Sequence, residues 1–155
     1  MPACFRIRPA IRGDISFLER CAHEAYEQYV KAIGRKPAPM VFDFKARLDR
    51  SNIDVFEDET GPFGYMVWKT GRDHIFLESI AILPGRQGEG CARRAISHLE
   101  VLARSEELAA IELYTNEKMT GNLTLYPHLG FHETNRVRED GFNRVYFRKV
   151  IEVQN

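Results

Sequence analysis

The stretch Pro84-Gly85-Arg86-Gln87-Gly88-Glu89-Gly90-Cys91-Ala92 sets three glycines between an apolar run, Ile75 to Leu83, and a run with helical spacing. A helix that starts here leaves four backbone N–H groups without acceptors in its own first turn, and its dipole adds partial positive charge. Glycine removes the Cβ that would hold a ligand off the main chain. Together these features bind anions, phosphate or diphosphate above all, with each charge-assisted hydrogen bond contributing about 1.5–3 kcal/mol. The same pattern also serves as a plain joint between strand and helix, and Glu89 adds a charge unfavourable to anions. The stretch lacks the Gly-Lys-Ser/Thr ending of a P-loop, and Arg93 stands where Gly-x-Gly-x-x-Gly needs its last glycine.

The elements that must position this turn follow from periodicity. Phe5 to Arg8 alternate apolar and basic residues as a strand does, and Ile15, Leu18, Ala22, Ala25 and Tyr29 recur at helical spacing. Gly34, Pro37 and Pro39 disfavour regular structure and make a candidate substrate-facing loop, followed by a short helix from about Phe42 to Asp49. The segments "IDVFED", "FGYMVWK" and "HIFLESIAIL", separated by "ETGP" and "TGRD", read as three antiparallel strands of a meander. After the glycine turn, Ala92, Ile96, Leu99 and Ala103 form one helical face, with Arg93, Arg94, His98 and Glu100 pointing elsewhere. "AAIELYT" then reads as a strand reached by a helical crossover, and so parallel to Ile75–Leu83. "EKMTGNLTLYPHL" reads as a short helix ended by Pro127 and Gly130, with last strands near Phe131–Glu133 and Arg144–Val150.

Composition narrows the classes. Residues 1–155 suit a single domain, with no repeats, low-complexity segments or linker. Twenty-two basic residues balance twenty-two acidic ones, so no overall field draws the chain to nucleic acid or an anionic membrane. No apolar run approaches the roughly 20 residues of a membrane span. Cys4, Cys21 and Cys91 lack metal-knuckle spacing, and the start "MPACFRIRPA" has no apolar signal core, so a cytoplasmic setting is expected.

Gln87, Gly90 and Ala92, after the hydrophobic "SIAILP", fit Arg/Gln-x-x-Gly-x-Gly/Ala. That pattern resembles the acyl-CoA signature of the GCN5-related N-acetyltransferase (GNAT) superfamily. "NLTLYPHLGF", with Leu125-Tyr126 and Gly130-Phe131, resembles that family's later helix-to-strand signature. The resemblance follows the order of elements over nearly the whole chain. It implies an α/β (α+β) fold: a mixed, mostly antiparallel sheet of about 6–7 strands flanked by about 4 helices, with a central parallel pair that splays apart.

By this resemblance the backbone of Gln87, Gly88, Glu89, Gly90, Cys91 and Ala92 holds the CoA diphosphate, while Ile80, Ala81 and Ile82 pair through main-chain groups with the pantetheine arm. The gap between the splayed strands leaves polar backbone for that arm to satisfy. Arg86, Arg93 and Arg94 are candidates for charge near the phosphates, the latter two equally for solvated surface. Tyr126 matches the tyrosine that protonates the leaving thiolate, against a plain core aromatic, and Asn122 is a candidate cofactor contact or helix cap. The asparagine that many relatives carry seven residues before the tyrosine is Met119 here, which moves one contact to Asn122 or Asn116. Relatives that acetylate ribosomal-protein N-termini carry a glutamate base where Tyr114 stands.

An amine acceptor must lose a proton before it attacks a thioester. Glu78 is the preferred base, on the strand face shared with Phe76 and Ile80, against a carboxylate merely paired with a neighbouring arginine. Glu24, Tyr26, Tyr29 and Asp43 are candidates to line the acceptor pocket. His128 and His132 are four apart, but Pro127 and Gly130 argue against one continuous helix and no third ligand is nearby, so no metal is expected. Cys91 lies where a helix N-terminus lowers a thiol's pKa, yet packing explains it better than catalysis. Trp68 and the meander phenylalanines read as core. The expected activity is an acetyl-CoA-dependent N-acyltransferase acting on a small-molecule or peptide primary amine by direct attack in a ternary complex, with no nucleic acid or membrane partner. Homodimers are frequent in that family. The alternatives are a non-catalytic acyl-CoA-binding or regulatory domain and, more weakly, a generic nucleotide-binding module.

Overall fold

The computed structural model describes residues 4–152, so the first three residues of the chain's start lie outside it. In chain order its elements are β1 (Arg6–Pro9), α1 (Ile15–Tyr26), α2 (Val30–Ile33), α3 (Phe44–Arg47), β2 (Asn52–Asp58), β3 (Gly61–Thr70), β4 (His74–Ile82), α4 (Cys91–Ser105), β5 (Ala110–Asn116), α5 (Thr120–His128), β6 (His132–Glu139) and β7 (Phe142–Val150). The seven strands form one mixed sheet in the order β1-β2-β3-β4-β5-β7-β6. The β1–β2, β2–β3, β5–β7 and β6–β7 pairs are antiparallel, and β4–β5 is parallel.

The chain packs as two compact units, Met1–Trp68 with Ser79–Ala95 and Lys69–Glu78 with Ile96–Asn155, so β4 and α4 each contribute to both. In the first unit, α1 buries Leu18, Cys21, Ala22, Ala25 and Tyr26, a three-and-four spacing that makes one apolar stripe. Burial of Leu18 alone stabilises the unit by about 1.5–3 kcal/mol. Asp14 fixes the entry to α1 by accepting from the Ile11 N–H at 2.8 Å and from both Arg8 terminal nitrogens at 2.9 and 3.0 Å. α2, a single turn ended by left-handed Gly34, precedes the loop read as irregular, and that loop holds a 3₁₀ turn over Ala38–Val41.

In the second unit, β5 and β7 pair over seven residues, and Ile111, Leu113, Val145 and Phe147 from these strands are buried. The β4–β5 ladder is short. It registers His74 to Leu77 against Ala110 to Leu113 and stops there, although β4 continues to Ile82 and β5 to Asn116.

Three expectations need correction. Pro127 does not end α5 but lies inside its last turn; the chain turns at Gly130, φ +96°, whose N–H donates to the Pro127 carbonyl. A proline so near a helix end removes only one N–H from the ladder, which the terminal turn tolerates. The last two strands are longer than read, because Asp140 and Gly141, both at positive φ, close a two-residue hairpin between β6 and β7. On α4 the buried stripe is Cys91, Ala95, Ile96, Leu99 and Ala103; Ala92 is only half-buried.

Candidate functional site

In the first unit, β4 leads into the glycine turn. Leu83 N–H donates to the Phe63 carbonyl, and the Ala81 carbonyl lies against Gly64, both residues of β3. Alternate residues of a strand direct their backbone groups to opposite edges, so the carbonyls of Ile80 and Ile82 point away from β3. Each already has a donor: the Tyr26 hydroxyl reaches Ile80 O at 2.8 Å, and Gln87 Nε2 reaches Ile82 O at 3.1 Å. Ala81, buried, receives the weaker Cys21 thiol at 3.8 Å.

The turn closes on Arg86, whose N–H donates to Leu83 O, and then passes through Gly88 (φ +82°) and Gly90 (φ +79°). Both glycines sit in the left-handed region that a side chain resists. A Cβ at Gly85, Gly88 or Gly90 would meet nothing within 4 Å, so this backbone is open. Arg94 N–H donates to Gly90 O at 3.1 Å and begins the α4 ladder, which leaves the N–H groups of Cys91, Ala92 and Arg93 without acceptors in their own helix. These donors fit a diphosphate.

Glu89 is exposed but not unpaired. It pairs with Arg86 Nε at 3.2 Å, and Arg86 also binds Asp58 and lies 4.1 Å over the Phe63 ring. Arg86 is therefore a clamp within the turn, and its hydrogen bond lowers the Asp58 carboxyl to about 2. Arg93 is exposed, and Arg94 lies over the Phe5 ring at 5.5 Å. Cys91 is only 4% exposed, and burial raises its thiol pKa, the opposite of the lowering a helix N-terminus would bring.

Of the residues expected to line an acceptor pocket, Glu24 joins Glu27 and Leu83 to Arg86 around an open depression of about 500 Å³. Tyr26 is buried on β4, Tyr29 is half-buried, and Asp43 caps α3 by accepting from Ala46 N. Trp68 is half-buried, not core, because its indole N–H donates to Asp54 at 2.7 Å.

In the second unit, Glu78 lies on the half-exposed face of β4 with Phe76 and pairs with Lys69 Nζ at 3.7 Å. Tyr126, 5% exposed, packs its ring at 5.7 Å from Phe131 and 5.9 Å from Phe147. Asn122 donates to Thr115 Oγ1 at 3.0 Å, and the same hydroxyl donates to the Met119 sulfur at 3.7 Å. Tyr114 packs between Phe76 and Tyr146 beneath the Arg144 guanidinium; burial raises its pKa, with Arg144 opposing. His128 and His132 sit on different elements, both exposed. Asp73, His74 and Glu112 bring one ligand atom each within 4.8 Å of one another, and both carboxylates pair with Arg148. Sequence reasoning missed Arg144 and Tyr146; the signal was "EDGFNRVYF", an Asp-Gly hairpin turn followed by alternation.

A sequence model of the acetyltransferase (GNAT) family matches residues 18–131. The chain belongs to that family. Acetyl-CoA is the co-substrate characteristic of the GNAT proteins. No curated protein matches the chain in sequence. Among solved structures it is similar to the ribosomal-protein-S18-alanine N-acetyltransferase of Escherichia coli, at 17% identity and TM-score 0.76, covering 98% of this chain and 97% of that one. The PaiA N-acetyltransferase of Thermoplasma acidophilum in complex with coenzyme A matches at 13% identity and TM-score 0.79, with 96% and 99% coverage. The spermidine N-acetyltransferase of Vibrio cholerae, in complex with CoA and spermine, matches at 17% and 0.71, with 95% of each chain covered. At these identities the likeness is one of fold. Among the described residues, no helix is long and apolar enough to cross a membrane.

Proposed function

We propose that this chain is an N-acetyltransferase that moves acetyl from acetyl-CoA to a primary amine by direct attack within a ternary complex. The observation that carries the reading is the turn from Gly88 to Arg93: left-handed glycines, open space about them and first-turn N–H groups ahead of the helix ladder, in a chain of an acetyltransferase family. Acetyl-CoA supplies an acetyl thioester. Gln87 to Ala92 hold the diphosphate through main-chain N–H groups, and Ile80 to Ile82 bind the pantetheine amides. The carbonyls of Ile80 and Ile82 have two lone pairs each, so the Tyr26 and Gln87 donors either share them or yield.

Glu78 takes the proton that an ammonium acceptor must lose, at the position where the Lys69 ammonium lies 3.7 Å from it. Tyr126, a neutral donor at pH 7 whose ring Phe131 and Phe147 hold, keeps a proton for the leaving thiolate sulfur. Asn122 orients the end of β5 through Thr115 and is the remaining cofactor contact.

Thermal shift with acetyl-CoA, CoA and ATP tests the binding half: a ligand at about 100 times its Kd stabilises the fold by roughly 2.7 kcal/mol. Stabilisation by ATP and not by acetyl-CoA sinks the reading. Thiol release over a panel of alkylamines, polyamines, amino acids and peptides tests turnover, and binding without release to any of them supports the non-catalytic acyl-CoA-binding domain instead. Tyr126→Phe should lower the rate about 10²-fold or more while the CoA-induced shift stays.

A further inference from the structure

The last registered pair of the parallel ladder is Leu77–Leu113, so Glu78 and Tyr114 are the first residues past it on their strands. Paired residues of a ladder present their side chains to one face, and two steps along a strand return to that face. Glu78 and Tyr114 therefore share the face of Phe76, and the Glu78 charge acts on the Tyr114 phenol. Three rings line this face in a row: Phe76 and Tyr114 with centroids 5.7 Å apart, and Tyr114 and Tyr146 at 5.6 Å. Arg144 lies 4.3 Å above Tyr114, with its charge engaged by Glu139 and Asp140 at 3.1 and 3.3 Å.

One primary ammonium already stands here. Lys69 reaches across from β3, its Nζ 5.6 Å from the centroid of Phe76 and 3.7 Å from Glu78 Oε1. A ring face within about 6 Å and a carboxylate are the two partners that hold an alkylammonium in water. The Lys69 side chain is 63% exposed, so it can swing off without unpacking anything.

We propose that Phe76, Glu78 and Tyr114 form the subsite for the acceptor's ammonium group, that the acceptor is a primary alkylammonium on an aliphatic stem, and that Lys69 occupies the subsite until an acceptor displaces it. The proposal rests on the reading of Glu78 as the base. An α-amino acid fits worse, because its carboxylate would lie against Glu78 while the nearby cation, Arg144, is already paired. In the reaction the bound ammonium gives one proton to Glu78, and the freed lone pair of its nitrogen forms the bond to the acetyl carbon. The carbon–sulfur bond breaks with its electron pair going to sulfur; the sulfur takes the Tyr126 proton, and the second proton lost by the nitrogen restores that phenol, leaving amide and free thiol.

The test uses butyltrimethylammonium, which has the stem and the charge but no proton to lose and so cannot be acetylated. Titrated into the full chain, it should move the ring resonances of Phe76 and Tyr114 and compete with alkylamine acceptors. Lys69→Met removes the internal competitor and should tighten the probe about threefold and lower the alkylamine KM alike. Phe76→Leu should weaken the probe about fivefold or more, while Tyr114→Phe, which keeps the ring, stays within about twofold. If Phe76→Leu fails to fold, the exposed Lys69→Met decides. A probe that leaves these rings unmoved, or one whose affinity Lys69→Met leaves unchanged or weakens, overturns the proposal. The probe experiment needs no acetyl transfer: failure to bind acetyl-CoA defeats the acetyltransferase reading alone, and brisk turnover of amino acids with no probe binding defeats the ammonium subsite alone.

Discussion

Gly64→Ala places a methyl group where β3 and β4 touch. An ideal Cβ at Gly64 would lie 2.8 Å from the Ala81 carbonyl oxygen, 2.8 Å from Ile82 Cδ1 and 2.9 Å from Phe56 Cδ2. Ordinary contact begins at 3.4 Å, so something must retreat by 3.4 − 2.8 = 0.6 Å. The Ile82 methyl can rotate away. Phe56 is fully buried and Ala81 O is main chain, so the strain falls on β4 between Ala81 and Ile82. Overpacking of this kind costs about 1–3 kcal/mol, and at this chain length about 2 kcal/mol lowers Tm by roughly 4–8 °C. Differential scanning calorimetry reads that loss. A second measurement ties it to function: the strand displaced is the one assigned to the pantetheine, so the stabilisation added by saturating CoA should also shrink. Gly13→Ala is the control, since its Cβ would meet nothing within 4 Å. A Gly64→Ala protein that melts within about 1 °C of the parent shows that the two strands are not in the close contact described.

Three further outcomes are expected. With a thiol reagent at pH 8, Cys4, exposed, should react at once while Cys21, pushed up to about 12 by burial, and buried Cys91 stay silent until unfolding; a second fast thiol contradicts the packing of α1 or α4. Arg8 holds the Asp14 carboxyl below its ordinary value, so its stabilisation is present above about pH 4 and is lost as pH falls through the lowered value. Asp14→Asn should accordingly cost about 1–3 kcal/mol at pH 7 and much less near pH 2–3, read from urea midpoints, and an equal loss at both pH values refutes the ion pair's share. Glu89→Gln removes an anion from the turn and should tighten CoA about threefold, less at high salt; weaker binding would mean that the clamp on Arg86 matters more than the charge.

Periodicity made most of the fold legible. The meander, the amphipathic α1 and α4 and the parallel β5 are all dictated by apolar spacing, and Gly88 and Gly90 proved to be glycines because their backbone is left-handed. What escaped was settled by contacts between residues distant in sequence. The sequence shows Glu89 only as a charge unfavourable to anions; its partner Arg86 is three residues away, but what aims Arg86 is Asp58, 28 residues distant, and those two meet only in the folded chain. Ala92 was placed on the buried stripe of α4 because a period of 3.6 does not say where a helix's face begins; Cys91 and Ala95 hold that place. The length of β6 and β7 was hidden by charge, since "HETNRVRE" carries little apolar alternation and its strand depends on pairing with β7. The ring row of Phe76, Tyr114 and Tyr146 needs the register of three strands, which no local pattern contains.

The two side-chain donors that reach β4 also bear on how this strand meets other chains. A strand whose outward carbonyls lack partners is a template on which another chain can add a strand, and uncovered edges of that sort seed aggregation. Tyr26 and Gln87 cap the Ile80 and Ile82 carbonyls from within the same chain. With those caps in place, this strand resists being mistaken for the growing end of someone else's sheet.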